Sequence, residues 1–142
     1  MQTIHFKFEN KGRPKTPMKA YSGDAGWDLY TSRLATIPPH SFIDIHVDIS
    51  VAMPEGVWAM ITGRSSTIRK HNLRVEMGII DNGYRGEIFV GVWNLTSQPI
   101  TVEEGTRLAQ FIPFSLKNMR WREVECLDES ERGCKSFGSS GV

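Results

Sequence analysis

From Ile43 to Val51 the chain alternates apolar and polar residues without a break: Ile43-Asp44-Ile45-His46-Val47-Asp48-Ile49-Ser50-Val51. Successive side chains of a strand point to opposite faces, so this run predicts one half-buried strand with Ile43, Ile45, Val47, Ile49 and Val51 inward. Asp44, His46 and Asp48 then share the outer face, which alternation alone reads as solvated rather than metal-binding. Shorter strand-like runs fall at 3–8, 57–61, 73–75, 88–93, 100–102, 108–114 and 120–124. Turn residues separate them: Pro38-Pro39, Pro54-Glu55-Gly56, Asp81-Asn82-Gly83 and Glu103-Glu104-Gly105. Many short strands at regular spacing predict an all-β sandwich, barrel or jelly roll. Only Ser65–His71 reads as a short helix.

The 142 residues suit one domain with one core. Seventeen basic and sixteen acidic side chains nearly cancel, leaving no strong field for nucleic acid or a membrane surface. Apolar runs are far too short to span a bilayer, and the N-terminus lacks the zones of a signal peptide. Cys126 and Cys134, without paired neighbours, read as reduced thiols of a cytoplasmic protein. Asn94-Leu95-Thr96 reads as a strand end rather than a glycosylation acceptor. These features divide the chain into a β domain, 1–128, and a polar, Gly- and Ser-rich segment, 129–142. That segment buries too little to order itself. It is either a frayed tail or an arm that orders over a ligand, with Phe137 as its anchor.

Five segments carry the chemistry: Asp24-Ala25-Gly26-Trp27-Asp28-Leu29-Tyr30; Gly63-Arg64-Ser65-Ser66; Gly78-Ile79-Ile80-Asp81-Asn82-Gly83-Tyr84-Arg85-Gly86-Glu87; Gly105-Thr106-Arg107-Leu108-Ala109-Gln110; and Arg132-Gly133 with Phe137-Gly138-Ser139-Ser140-Gly141. In this order they resemble the trimeric dUTPase family. The resemblance implies a jelly-roll subunit of a homotrimer with active sites between subunits. It also implies hydrolysis of dUTP to dUMP and pyrophosphate, with magnesium as cofactor.

The Asn82-Gly83 pair is the strongest short hairpin signal in the chain, and a hairpin end presents backbone donors and acceptors. By resemblance, Gly78, Ile79, Ile80 and the backbone at Phe89 frame a uracil pocket. Cytosine would leave polar groups unpaired there, and a thymine methyl would clash. Tyr84 resembles the tyrosine that packs under deoxyribose and excludes a 2′-hydroxyl. Asp81 resembles the base that orients and deprotonates the attacking water; a turn aspartate by itself reads as a local cap. Arg64, Ser65 and Ser66 open the short helix, where free N–H groups and positive dipole suit phosphate. Asp28 resembles a carboxylate that meets magnesium through water, which suits an ion that keeps its waters. Gln110 resembles a polar group near the phosphates. Arg132 resembles a clamp on the terminal phosphates, while Phe137, followed by Gly138, resembles a lid that stacks on uracil.

Four positions depart from the family pattern: Trp27, Ser66, Lys135 and Ser136. A positive φ before Phe137 would penalise Ser136 relative to glycine. The sister dCTP deaminases share a Gly-Arg-Ser-Ser segment, but their catalytic glutamate falls at Gly91, which cannot shuttle a proton. A dUTPase-like scaffold that binds a regulatory protein partner is a further reading, against which the retained site residues argue. The basic cluster Arg64, Arg69, Lys70, His71 and Arg74 lacks the aromatic pattern of a nucleic-acid surface. The expected compartment is the cytoplasm, or host cytoplasm or nucleus for a viral chain.

Overall fold

A computed structural model describes residues 1–10, 14–135 and 137–138; Ser136 and 139–142, part of the fifth segment, lie outside the described residues. In chain order the elements are β1 (His5–Phe8), β2 (Trp27–Tyr30), β3 (Ala35–Ile37), β4 (Phe42–His46), β5 (Ile49–Ala52), β6 (Val57–Gly63), α1 (Ser65–His71), β7 (Leu73–Val75), β8 (Gly78–Ile80), β9 (Phe89–Asn94), β10 (Ile100–Val102) and β11 (Arg107–Ser115). They form a four-stranded sheet ordered β2-β11-β6-β8, a three-stranded sheet β4-β9-β7, and the ribbons β1-β5 and β3-β10. Every strand pairing is antiparallel. This is the all-β, jelly-roll-like architecture that the alternation predicts.

One apolar cluster fills the space between the layers: Leu29 of β2, Ala59 and Ile61 of β6 and Phe111 of β11 meet Ile45 of β4, Val90 and Val92 of β9, and Leu73 of β7. In β9 the inward Val90 and Val92 are buried while Phe89 between the layers' outer positions is exposed, as period two requires. A register shift between Arg107 and Ala109 lets β11 bury two successive residues, Leu108 and Ala109. Asn94 is wholly buried, so its sequon is no acceptor. Its Nδ2 donates to the carbonyls of Ile37 (3.0 Å) and Gln98 (2.7 Å), and its Oδ1 accepts from Thr96 N (2.9 Å) and Thr96 Oγ1 (2.8 Å).

Three expectations need correction. The 43–51 run is not one strand: β4 and β5 lie in different sheets, and the chain turns between them with Asp48 at φ 51°. Val47, Ile49 and Val51 stay buried on both sides of this corner, so the alternation persists through it. Asp48 is therefore not on a solvated face but only 4% exposed. Asn10 Nδ2 (2.7 Å) and Arg33 (3.1 Å) both donate to its Oδ1. Second, Asn82-Gly83 does not close a hairpin. β8 pairs with β6, and β9 belongs to the other sheet. Neither Asn82 nor Gly83 takes the positive φ that a type I′ turn demands. Third, 120–124 forms no strand: among the described residues no element lies beside it to complete a ladder, and from Leu116 to Lys135 the chain is exposed and irregular.

Candidate active site

β6 carries the site, with one group of residues at each of its ends. Where β6 finishes at Gly63, Arg64 takes an extended conformation and caps α1 through its backbone carbonyl, which accepts from Thr67 N (3.0 Å). The buried Thr67 hydroxyl donates to Leu108 O (2.7 Å) and pins α1 to β11. Arg69, Lys70 and His71 fall in the last turn, where cations offset the helix dipole, and Asn72 at φ 54° ends the helix. Ser65 and Ser66 form its first turn, where no side chain caps the free N–H groups.

The β-register brings Asp28 and Gln110 to the same end. Gln110 of β11 stands opposite Asp28 on β2 and Thr62 on β6. Asp28 Oδ1 lies 2.7 Å from Arg64 Nε, and its Oδ2 lies 3.8 Å from Arg107 Nη1. Arg64 Nη1 also donates to Arg107 O and Ser66 Oγ, both at 3.3 Å. Gln110 Nε2 donates to Gly63 O (3.1 Å), leaving its Oε1 beside Gly26. A Cβ at Gly26 would stand 2.9 Å from that oxygen and 3.0 Å from Ile112, so close packing requires glycine here. The result is a polar cleft of about 290 Å³ lined by Ala20, Asp24, Ala25, Gly26, Asp28, Arg64, Ser65 and Gln110. A larger hollow of about 330 Å³ beside β1 has no Asp, Glu, Lys, Arg or His in its lining, so the smaller polar cleft is the candidate.

At the other end of β6 the registers Ala59↔Ile80 and Ile61↔Gly78 hold β8, whose outer backbone edge has no strand partner among the described residues. This open edge offers the donors and acceptors that sequence reasoning assigned to a hairpin. Asp81 follows it, exposed, with its carbonyl accepting from Tyr84 N (3.0 Å). Asn82 Nδ2 donates to Pro54 O (2.9 Å) and Val57 O (2.7 Å), tying the loop to the start of β6. The Tyr84 hydroxyl donates to Glu87 O (2.7 Å). Its ring lies over Gly86, where a Cβ would meet Oη at 2.6 Å. Ile79, Tyr84 and Phe89 expose 50%, 42% and 39% of their surface, so each offers apolar area to a ligand.

The two groups do not meet within one chain. Asp81 follows Ile80, which pairs with Ala59, whereas Arg64 follows the far end of β6. Six strand residues separate the two levels, about 20 Å at the usual rise. Of the arm residues, Arg132 and Gly138 are exposed, and Phe137 is fully exposed and rests on neither group. The sequence gives Arg107 no role of its own, and it marks Asn82 as a hairpin residue rather than as the tether to Pro54 and Val57. Only the β2–β11 register reveals that Arg107, opposite Tyr30, stands beside Asp28.

The fold and this split polar site define the chain as a jelly-roll protein of the kind that handles a small anionic ligand. Its residues 13–141 match the dUTPase family model. It is 37% identical over 129 residues to the deoxyuridine 5′-triphosphate nucleotidohydrolase of Candida albicans, covering 89% of this chain and 81% of that one. It is 39% identical over 128 residues to the enzyme of that name from Clostridium novyi, covering 89% and 90%. A mutant of the Staphylococcus bacteriophage 80alpha dUTPase, solved with dUpNHpp, superposes with a TM-score of 0.90 at 28% identity over 99% of both chains. The chain belongs to the dUTPase family.

Proposed function

We propose that this chain hydrolyses dUTP to dUMP and pyrophosphate in a homotrimer whose sites lie between subunits. The observation that carries this reading is the pairing, in a dUTPase-family chain, of an arginine- and amide-lined cleft with an open strand edge that bears Asp81 and Tyr84. A neighbouring subunit's edge strand, brought to this cleft, closes the distance that β6 imposes. Exposed Met119, Trp121 and Leu127, at 83%, 103% and 86%, have the character of side chains awaiting a partner's surface.

Uracil then lies against the backbone of Gly78, Ile79 and Ile80 near Phe89, and deoxyribose lies on the Tyr84 ring. Arg64, the Ser65 and Ser66 N–H groups and Gln110 hold the phosphates. Asp81 orients a water and accepts its proton as the water oxygen bonds to the α-phosphorus; the bond from that phosphorus to the bridging oxygen breaks, and pyrophosphate leaves. Asp28 fits an outer-sphere role toward magnesium: Arg64 occupies Oδ1, while Oδ2, 3.8 Å from Arg107, is free of a hydrogen bond at that distance and can accept from a metal-bound water. When bound, magnesium would neutralise charge on the phosphate oxygens. Residues 129–142 act as the closing arm, with Arg132 on the terminal phosphates, Phe137 over uracil and Gly138, at φ 82°, providing a turn. The unpaired, exposed Cys126 and Cys134 suit the reducing cytoplasm. No helix among the described residues is long and apolar enough to cross a membrane.

The deaminase reading finds no support at Gly91, where any Cβ would meet the Phe42 ring at 2.6 Å. Incubation with magnesium and, separately, dUTP, UTP, dCTP and dTTP, with chromatography of products, tests the proposal. Conversion of dUTP alone is expected; uracil nucleotides formed from dCTP would overturn it. Asp81→Asn with near-normal turnover would remove the base assignment.

A further inference from the structure

The loop 81–88 holds Asp81 and Tyr84 without regular secondary structure; its buried Ile88 donates its N–H to Ile49 O (2.8 Å), and its Glu87 meets β4 through an imidazole. His46, the last residue of β4, places Nδ1 3.3 Å from Glu87 Oε1 and 3.8 Å from Asp48 Oδ1. Its ring meets the Phe89 ring edge-on, with centroids 5.1 Å apart. Glu87 is thus gripped at both ends: its carboxylate by His46 and its carbonyl by the Tyr84 hydroxyl. One imidazole therefore touches both Glu87 and Phe89, on the C-terminal side of Tyr84.

We propose that His46 is a positioning residue for the base and sugar pocket, holding Glu87 through a charged hydrogen bond when its imidazole is protonated. The inference rests on the dUTP-hydrolysis reading for its effect on turnover, but not for its effect on the loop. The groups facing the imidazole are Glu87 from the loop, Asp48 from the β4–β5 corner with Arg33 behind it, and the uncharged Phe89 from β9; Asp44 shares the outer face of β4 two positions away. Burial would raise the Asp48 carboxyl, yet hydrogen bonds and the Arg33 charge hold it below its ordinary value. The Ser32 hydroxyl beside it meets no partner at hydrogen-bonding geometry, so Asn10 and Arg33 carry that effect. Asp48 is therefore a fixed anion that His46 meets at every working pH. His46, Asp48 and Glu87 also have the composition of a cation site. The Arg33 guanidinium already occupies Asp48, which leaves that carboxylate less free to take a metal ion.

A charged hydrogen bond needs an imidazolium, so the clamp weakens as pH rises through the range in which histidine side chains give up their proton. The test compares wild type, His46→Gln and Glu87→Gln between pH 5.5 and 8.5, recording KM and kcat for dUTP. Amide-exchange protection of 81–88 is measured beside that of 90–94. The wild-type KM is expected to rise by about fivefold relative to His46→Gln across this range, with kcat moving less, as suits a half-exposed ion pair. Glu87→Gln should show the same flattened profile, and protection should fall in 81–88 while 90–94 is unchanged. A His46→Gln profile parallel to wild type would overturn the proposal. So would protection of 81–88 that rises on adding Mn²⁺ or Zn²⁺ and is unmoved by pH. If wild type fails to hydrolyse dUTP but the pH-dependent protection remains, the clamp stands and the functional reading falls.

Discussion

Replacing Gly86 by alanine isolates the seat of the Tyr84 ring. The new Cβ would stand 2.6 Å from Oη and 2.8 Å from Cζ. Ordinary carbon contacts begin near about 3.5 Å, so the ring must move by several tenths of an ångström. It is free to do so, being 42% exposed and at the end of a side chain. Moving it breaks the 2.7 Å bond to Glu87 O, a loss of about 0.5–1.5 kcal/mol. Gly86 is not among the glycines with positive φ, so alanine fits the backbone. Alanine also restricts the unfolded chain, returning about 0.4–1 kcal/mol. The two effects nearly cancel, and the melting temperature should shift by only a few degrees. Turnover should not be spared: if the ring under deoxyribose excludes the 2′-hydroxyl, kcat/KM for dUTP falls by about tenfold and the dUTP-to-UTP preference falls with it. Thermal melts and initial rates on both nucleotides provide the assay. A variant with native melting, full dUTP turnover and undiminished rejection of UTP would refute the claim that the Tyr84 seat selects the sugar.

Arg64→Gln removes the cation at Asp28 and, in the proposed reaction, the one nearest the phosphates; kcat/KM should fall by about 10²-fold or more with little change in melting, checked by the same two assays. Asp48→Asn keeps a residue tolerant of φ 51° but removes the anion, costing about 1–2 kcal/mol at pH 7. Because the native carboxyl is held below its ordinary value, that contribution is present above the unfolded pKa and lost as pH falls through the lower native one. The gap between wild type and variant in urea melts should therefore shrink at strongly acid pH. Asn94→Ala strands the buried Ile37 carbonyl and the Thr96 N–H, while the Gln98 carbonyl keeps the Thr96 hydroxyl, and should cost about 2–4 kcal/mol by chemical denaturation.

Local pattern made much of this fold legible. Strands 73–75 and 100–102 and helix Ser65–His71 appear where period and turn residues placed them, because each has its signal within a few residues. The β4–β5 corner was hidden because inward residues keep alternating across it, and what marks it is Asp48, at φ 51° and bonded to the distant Asn10 and Arg33. Asn82-Gly83 misled for a related reason. Its asparagine is taken up by Pro54 and Val57, partners more than twenty positions away, so the local turn preference is overridden by tertiary bonds. In the site, the short segments named Asp28, Arg64 and Gln110 individually. Their meeting depends on β2, β11 and β6 lying side by side, and strand order is a long-range property. Arg107 escaped notice for the same cause.

The span of β6 also bears on inheritance of defects among copies. Each chain lends its Asp81 edge to one cavity and its Arg64 cleft to another, so in the proposed trimer damage to one copy is felt next door. Two proteins inactive alone, one lacking Asp81 and the other lacking Arg64, should regain roughly a quarter of the sites when unfolded together and allowed to reassemble at random. A single faulty gene copy would correspondingly poison assemblies that contain sound ones.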